Sequence, residues 1–108
     1  MILVILKNDV KEIHGVMDGV YVMCPDQTNG KNAWVKGQIA IWYDSGNDNW
    51  KIGPKSNIGT GVCGIYSTTD AQNPTLVGKE WEHFTREGNF VETNPGDIRI
   101  NNIHGKKL

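Results

Sequence analysis

The sequence predicts an all-β chain: one small antiparallel domain, a sandwich or a barrel-like meander of roughly six to nine short strands. Three observations carry this expectation. Residues that tolerate positive φ recur throughout, with 13 glycines and many asparagines marking corners. Between those corners lie short runs rich in Val, Ile, Tyr and Trp, several alternating with period two. No segment sustains the i, i+3, i+4, i+7 apolar spacing of an amphipathic helix.

The length of 108 residues suits one hydrophobic core and is too short for two domains. The domain is therefore expected to span 1–108, with its core over about 2–100 and a polar tail at 101–108 that includes Lys106 and Lys107. Residues 2–6 form a continuous apolar run, suited to a strand covered on both faces. Val10 to Ile13 is expected to continue as a hairpin. His14-Gly15 and Asp18-Gly19 are turns, and residues 20–24 a strand ended by Pro25. Asn29-Gly30 is a strong hairpin signal, after which residues 33–35 return. Lys36-Gly37 turns the chain into residues 38–43. A polar loop, 44–49, leads to a strand at 50–52 that stops at Gly53-Pro54. The glycine-spaced stretch 58–66 reads as a bulged strand. Residues 68–74 form a loop, and 80–84, 90–91 and 98–100 are further strands. The expected core comprises Ile2, Val4, Leu6, Val20, Val22, Ile39, Ile41, Ile52, Val62, Ile65, Phe84, Ile98 and Ile100.

Charge and composition exclude several classes. Eleven basic and 12 acidic side chains leave a net charge of −1. No basic stripe offers itself to phosphates, so no nucleic acid is expected. Mean hydropathy is −0.43, and no run approaches the apolar length of a membrane span. The opening apolar run lacks the flanks of a signal peptide. A cytoplasmic location is the expectation, with secretion the alternative if Cys24 and Cys63 pair. Neither cysteine has a CxxC or Cys/His spacing for zinc, and no cofactor or metal is expected.

Motifs for chemistry are weak. Gly59-Thr60-Gly61-Val62-Cys63-Gly64 matches G-x-G-x-x-G, but Ile65-Tyr66-Ser67 after it reads as strand, whereas a dinucleotide site needs a helix there. Asp44 and Asp48, with Asn47 and Asn49, resemble a cation loop but carry too little charge and the wrong spacing. Glu80 and Glu82 lie side by side, whereas glycoside hydrolysis needs carboxylates opposed across a cleft. A Cys–His nucleophile, perhaps Cys63 with His83, is the enzymatic alternative.

The aromatic set is the most informative feature. Four tryptophans are roughly three times average usage. Trp42 and Trp50 are expected as cross-strand neighbours around the 44–49 loop, a structural use in itself. If one or two rings stay partly exposed, they offer stacking surfaces for sugar faces or peptide segments. The expected function is a non-catalytic binding module for a peptide or saccharide, with Trp34, Trp42, Tyr43, Trp50 and Trp81 as contact residues. A structural domain oligomerising through its apolar first strand is a further alternative.

Asp18-Gly19-Val20-Tyr21, Asn29-Gly30-Lys31-Asn32-Ala33-Trp34, Trp42-Tyr43-Asp44, Trp50-Lys51-Ile52-Gly53-Pro54 and Gly64-Ile65-Tyr66-Ser67 share a cadence. Over roughly residues 15–100 the chain resembles a small all-β module punctuated by tryptophan and glycine, found in multidomain proteins of protists and invertebrates. That resemblance implies a β-rich domain without an established activity, and it carries over no functional residue.

Overall fold

The computed structural model describes residues 1–103; His104, Lys106 and Lys107 lie outside the described residues. The chain runs β1 (Ile2–Leu6), α1 (Asn8–His14), β2 (Gly19–Met23), β3 (Trp34–Lys36), β4 (Ile39–Asp44), β5 (Asn49–Pro54), β6 (Ile65–Ser67), β7 (Trp81–Phe84), β8 (Phe90–Glu92) and β9 (Ile98–Asn102). All nine strands join one antiparallel sheet in the order β8-β7-β6-β5-β4-β3-β2-β1-β9. It is a meander from β1 to β8 whose last strand returns to the free edge of β1. The sheet curls into a half-barrel. This is the barrel-like member of the expected pair of architectures; there is no second sheet, as a sandwich would require, among the described residues.

Register follows from the turns. Asn29 and Gly30 both take positive φ, the geometry that the twist of a tight hairpin demands, and Thr28 bridges Lys31 across them. The 44–49 loop sets Asp44 opposite Asn49, which puts Tyr43 opposite Trp50 and Trp42 opposite Lys51. Directly opposed residues share a face. Trp42 and Trp50 therefore point to opposite faces, which corrects the expectation that they are cross-strand neighbours.

The inner face of the curl holds the main core: Ile2, Val4 and Leu6 of β1, Tyr21, Trp34, Ile41, Tyr43, Trp50, Ile52, Ile65, Trp81, Ile98 and Ile100. A 3-10 turn at Pro74–Leu76 lies beside β9, and Val77 and Ala71 join the core from this covering segment. A second, smaller cluster sits on the outer face, where Ala33, Ala40 and Trp42 are covered by Ile58, Cys63, Cys24 and Val35.

Four expectations need correction. Residues 8–14 form a helix where a hairpin was expected. Val10, His14 and Met17 are all buried and stand at i, i+4 and i+7, a helical stripe disguised by the polarity of His14. Residues 58–64 form no strand; they cross the outer face as a loop. Val20, Val22, Val62 and Phe84, expected in the core, are exposed, because their alternation places them on the outer face or in that loop. Finally, β9 continues through Asn101 and Asn102, which the sequence assigns to the tail. Both cysteines are free thiols, so the structure contains no pairing of Cys24 with Cys63.

Candidate functional site

The five expected contact residues are buried. Trp42 and Trp50 are 0% exposed, Trp81 1%, Trp34 3% and Tyr43 6%. The expectation that one or two of these rings stay partly open to solvent is corrected: they are core. Large rings bury the most apolar surface, and a small half-barrel needs that area. Two indoles also fasten loops to the sheet. Trp50 Nε1 donates to the Ala71 carbonyl at 2.7 Å, and Trp42 Nε1 to the Thr60 carbonyl at 3.0 Å. Trp34 packs on Trp50 with ring centroids 6.0 Å apart, and Tyr43 packs edge-on to Trp50 at 5.3 Å.

Exposed aromatic surface lies elsewhere. Phe84 and Phe90 oppose each other across β7 and β8 and are 41% and 37% exposed. Their centroids are 5.1 Å apart, and Phe90 also packs edge-on to Tyr66 at 4.8 Å. These three rings stand on the outer face because β6, β7 and β8 each put alternate residues there. One cross-strand row runs Trp42, Lys51, Tyr66, Glu82, Glu92. Composition points to tryptophan for contacts and Phe84 is expected in the core; the two-residue rhythm of residues 80–84, read against a buried Trp81, is the signal that places Phe84 on the outer face.

Beside the rings the face is recessed. A groove of about 440 Å³ is bounded by Tyr66 and Phe90 on one side and by Asn47, Asp48 and Asn49 of the hairpin loop on another. Ser67 and Thr68, Gly61 and Cys63 of the covering loop, and the buried Lys51 at the base complete its lining. A smaller apolar recess continues from it along Val62, Phe84 and Phe90. A groove of this size falls within the range of small-ligand sites.

The base is a satisfied polar network. Lys51 Nζ is 3.3 Å from Asp44 Oδ2, donates to Asn49 Oδ1 at 2.9 Å and lies 5.3 Å from the Tyr66 ring centroid. Burial alone would raise the Asp44 carboxyl. Donors from Asn47, Lys51 and the Gly46 amide, with the charge of Lys51, outweigh it and hold the carboxyl below the ordinary aspartate range. With both oxygens occupied by protein donors, Asp44 offers no free ligand to a cation, and the 44–49 loop is a polar hairpin. Tyr66 Oη donates to Glu82 Oε1; that acceptor and burial push the phenol up to about 12. Glu82 is thereby a partner of Tyr66, while Glu80 lies outside β7 beside Gly78. Among the described residues no cluster of three His, Cys, Asp or Glu side chains is arranged to hold a metal.

The Cys63–His83 pairing is not formed. Cys63 lies on the outer face against the Trp42 cluster. His83 shares the inner face with its neighbour Ile65 and packs on His14 of α1, centroids 5.5 Å apart. Burial pushes the Cys63 thiol up, away from the thiolate a nucleophile needs. The G-x-G-x-x-G match leads into β6 and opens no helix. Both edges of β1 are occupied within the chain, by β2 and β9, which leaves that strand no free edge for a second copy. Among the described residues no helix is long and apolar enough to cross a membrane.

These features define the class: a small antiparallel half-barrel with an aromatic-lined groove on its outer face. Comparison of the chain with protein-family models, with curated proteins and with solved structures finds no match in any of the three.

Proposed function

We propose that the protein is a non-catalytic binding module whose outer-face groove takes a short saccharide. The observation that carries this reading is the platform of Tyr66, Phe84 and Phe90 beside the exposed Asn47 amide and Thr68 hydroxyl. Sugars present C–H faces that pack on aromatic rings and hydroxyls that pair with such amide and hydroxyl groups. The rings are fixed edge-to-face against one another, so little side-chain freedom is lost on binding. Lys51 and Asp44 hold the base of the groove rigid and charge-balanced.

A glycan microarray followed by calorimetry tests this. The expected result is a hit whose affinity falls at least tenfold in Phe90→Ala with an unchanged circular dichroism spectrum. No hit on the array, or a hit that Phe90→Ala leaves intact, overturns it. A second reading is favoured by one observation, the apolar recess along Val62, Phe84 and Phe90, which suits an apolar side chain of a peptide. Selection from a peptide display library, with competition at Phe84→Ala, separates the two ligands.

A further inference from the structure

The histidines lie directly behind the groove. His14 at the end of α1 and His83 on β7 are both buried, with their rings edge-on, 5.5 Å between centroids. His14 Nε2 is 2.9 Å from the Phe84 carbonyl, and a carbonyl only accepts, so Nε2 carries a proton and donates. The same ring packs against Gly64, where an added Cβ would stand 3.2 Å from His14 Cε1. Gly64 in turn accepts from the Phe84 amide at 2.8 Å and donates to the Ile52 carbonyl at 3.0 Å. One imidazole thus contacts the backbone of two segments, the Phe84 strand and the turn after Cys63, and Phe84 and Cys63 both border the apolar recess that adjoins the groove.

His83 Nδ1 is buried without a hydrogen-bond partner among the described residues. A buried polar atom left unpaired is costly, and costlier if charged. We propose that His14, packed on His83, is an acid-operated latch for the groove: its neutral ring holds α1 and Phe84 in place, and its protonation frees both and discharges the ligand. The discharge step rests on the groove being the ligand site.

Asp9 and Glu12 of α1 and Arg86 and Glu87 of the β7–β8 turn border the recess beside His83. Glu12 is paired with Arg86 at 3.3 Å, both side chains exposed, so this pair contributes little. Asp9 and Glu87 are exposed at the rim and screened by water. Behind them His14 bonds to the Phe84 carbonyl and packs on Gly64 and His83. Burial, more than its bond to Phe84 offsets, holds the His14 imidazole below the ordinary histidine range, and the neighbouring His83 adds to this. The opened form therefore binds more protons than the latched one, and opening grows as pH falls below about 6.5.

Amide hydrogen exchange on the whole chain, without ligand, tests the latch. Protection of the Phe84 and Gly64 amides, corrected for intrinsic exchange, is expected to fall by up to about tenfold per pH unit below 6.5, while β4 amides keep theirs. In His14→Gln/His83→Leu that local loss should vanish. Side-chain NMR titration of His14 in the wild-type chain supplies a second readout independent of the variant: His14 protonation and loss of Phe84 protection should go together. Flat protection, loss spread evenly over the sheet, or a midpoint in the carboxylate range overturns the latch. Because no ligand is used, an empty groove sinks only the discharge step, and flat exchange sinks the latch whatever the groove binds.

Discussion

Residue type alone misassigns the aromatic side chains, and their environments explain why. Trp50 is fully buried, with its N–H on Ala71. Trp50→Ala is expected to cost about 3–5 kcal/mol, read from urea unfolding. Phe90→Ala removes a ring already in contact with water and should cost about 1 kcal/mol while lowering ligand affinity at least tenfold. That contrast between stability and binding is the sharpest residue-level check. Lys51 makes a second. Its ammonium is buried against Asp44, so Lys51→Met should cost about 3 kcal/mol by stranding a buried carboxylate. Lys51→Met with Asp44→Leu should recover most of that loss in the same unfolding assay, since the penalty lies in the unpaired charge.

Among the elements, the covering loop at 58–64 is the one whose placement depends most on a single position. Gly53 on β5 lies directly beneath it: an added Cβ would stand 2.9 Å from Cys63 Cα and 3.3 Å from Trp42 Cη2. Backbone cannot give way as a flexible side-chain end can. Gly53→Ala is expected to destabilise by about 1–3 kcal/mol and to lift the loop from Trp42, seen as a red shift and increase in indole exposure by fluorescence quenching. The sequence marks Gly53-Pro54 as the end of a strand, which is right about the boundary and silent about the crossing. The helix Asn8–His14 was equally hidden. Its seven residues are too few for periodicity to announce, and its inner stripe includes a histidine that pattern reading counts as polar. Strands β4 and β5, by contrast, were legible because their turn chemistry and alternation agree.

Across the whole molecule, pH should act in three windows. The depressed His14 value makes its contribution fully present above about 6.5 and lost as pH falls below that toward the folded value. The depressed Asp44 carboxyl contributes above the ordinary aspartate range and is lost as pH falls through its lower folded value. Tyr66, pushed up by Glu82 and burial, and Tyr43, pushed up by burial and by Asp70 and Asp48, both stand at about 12. Their contribution is present below about 10 and is lost as pH rises toward 12. Unfolding midpoints measured at pH 8, 5.5, 3 and 11 should therefore peak near pH 8. A profile with its maximum at pH 5.5 would contradict the burial of His14. Removing residues 1–6 would not probe assembly: β1 is flanked by β2 and β9, so the deletion should yield an unfolded chain by circular dichroism.

The sequence by itself determined the class of fold, the hairpins at Asn29-Gly30, Lys36-Gly37 and 44–49 and the aliphatic part of the inner core on β1, β4, β5, β6 and β9, because turn residues and two-residue alternation are local properties. It did not determine which face of each strand would be covered, and so placed Val20, Val22, Val62 and Phe84 inside and left open whether one or two tryptophan rings stay partly exposed. Only the tertiary structure decided that, through the register across the 44–49 loop, the passage of 58–64 over Gly53, and the curl that encloses one face. The groove of Tyr66, Phe84 and Phe90 and the histidines behind it are assembled from strands and loops distant in sequence, and side chains acquire an inside only once the sheet has bent around them.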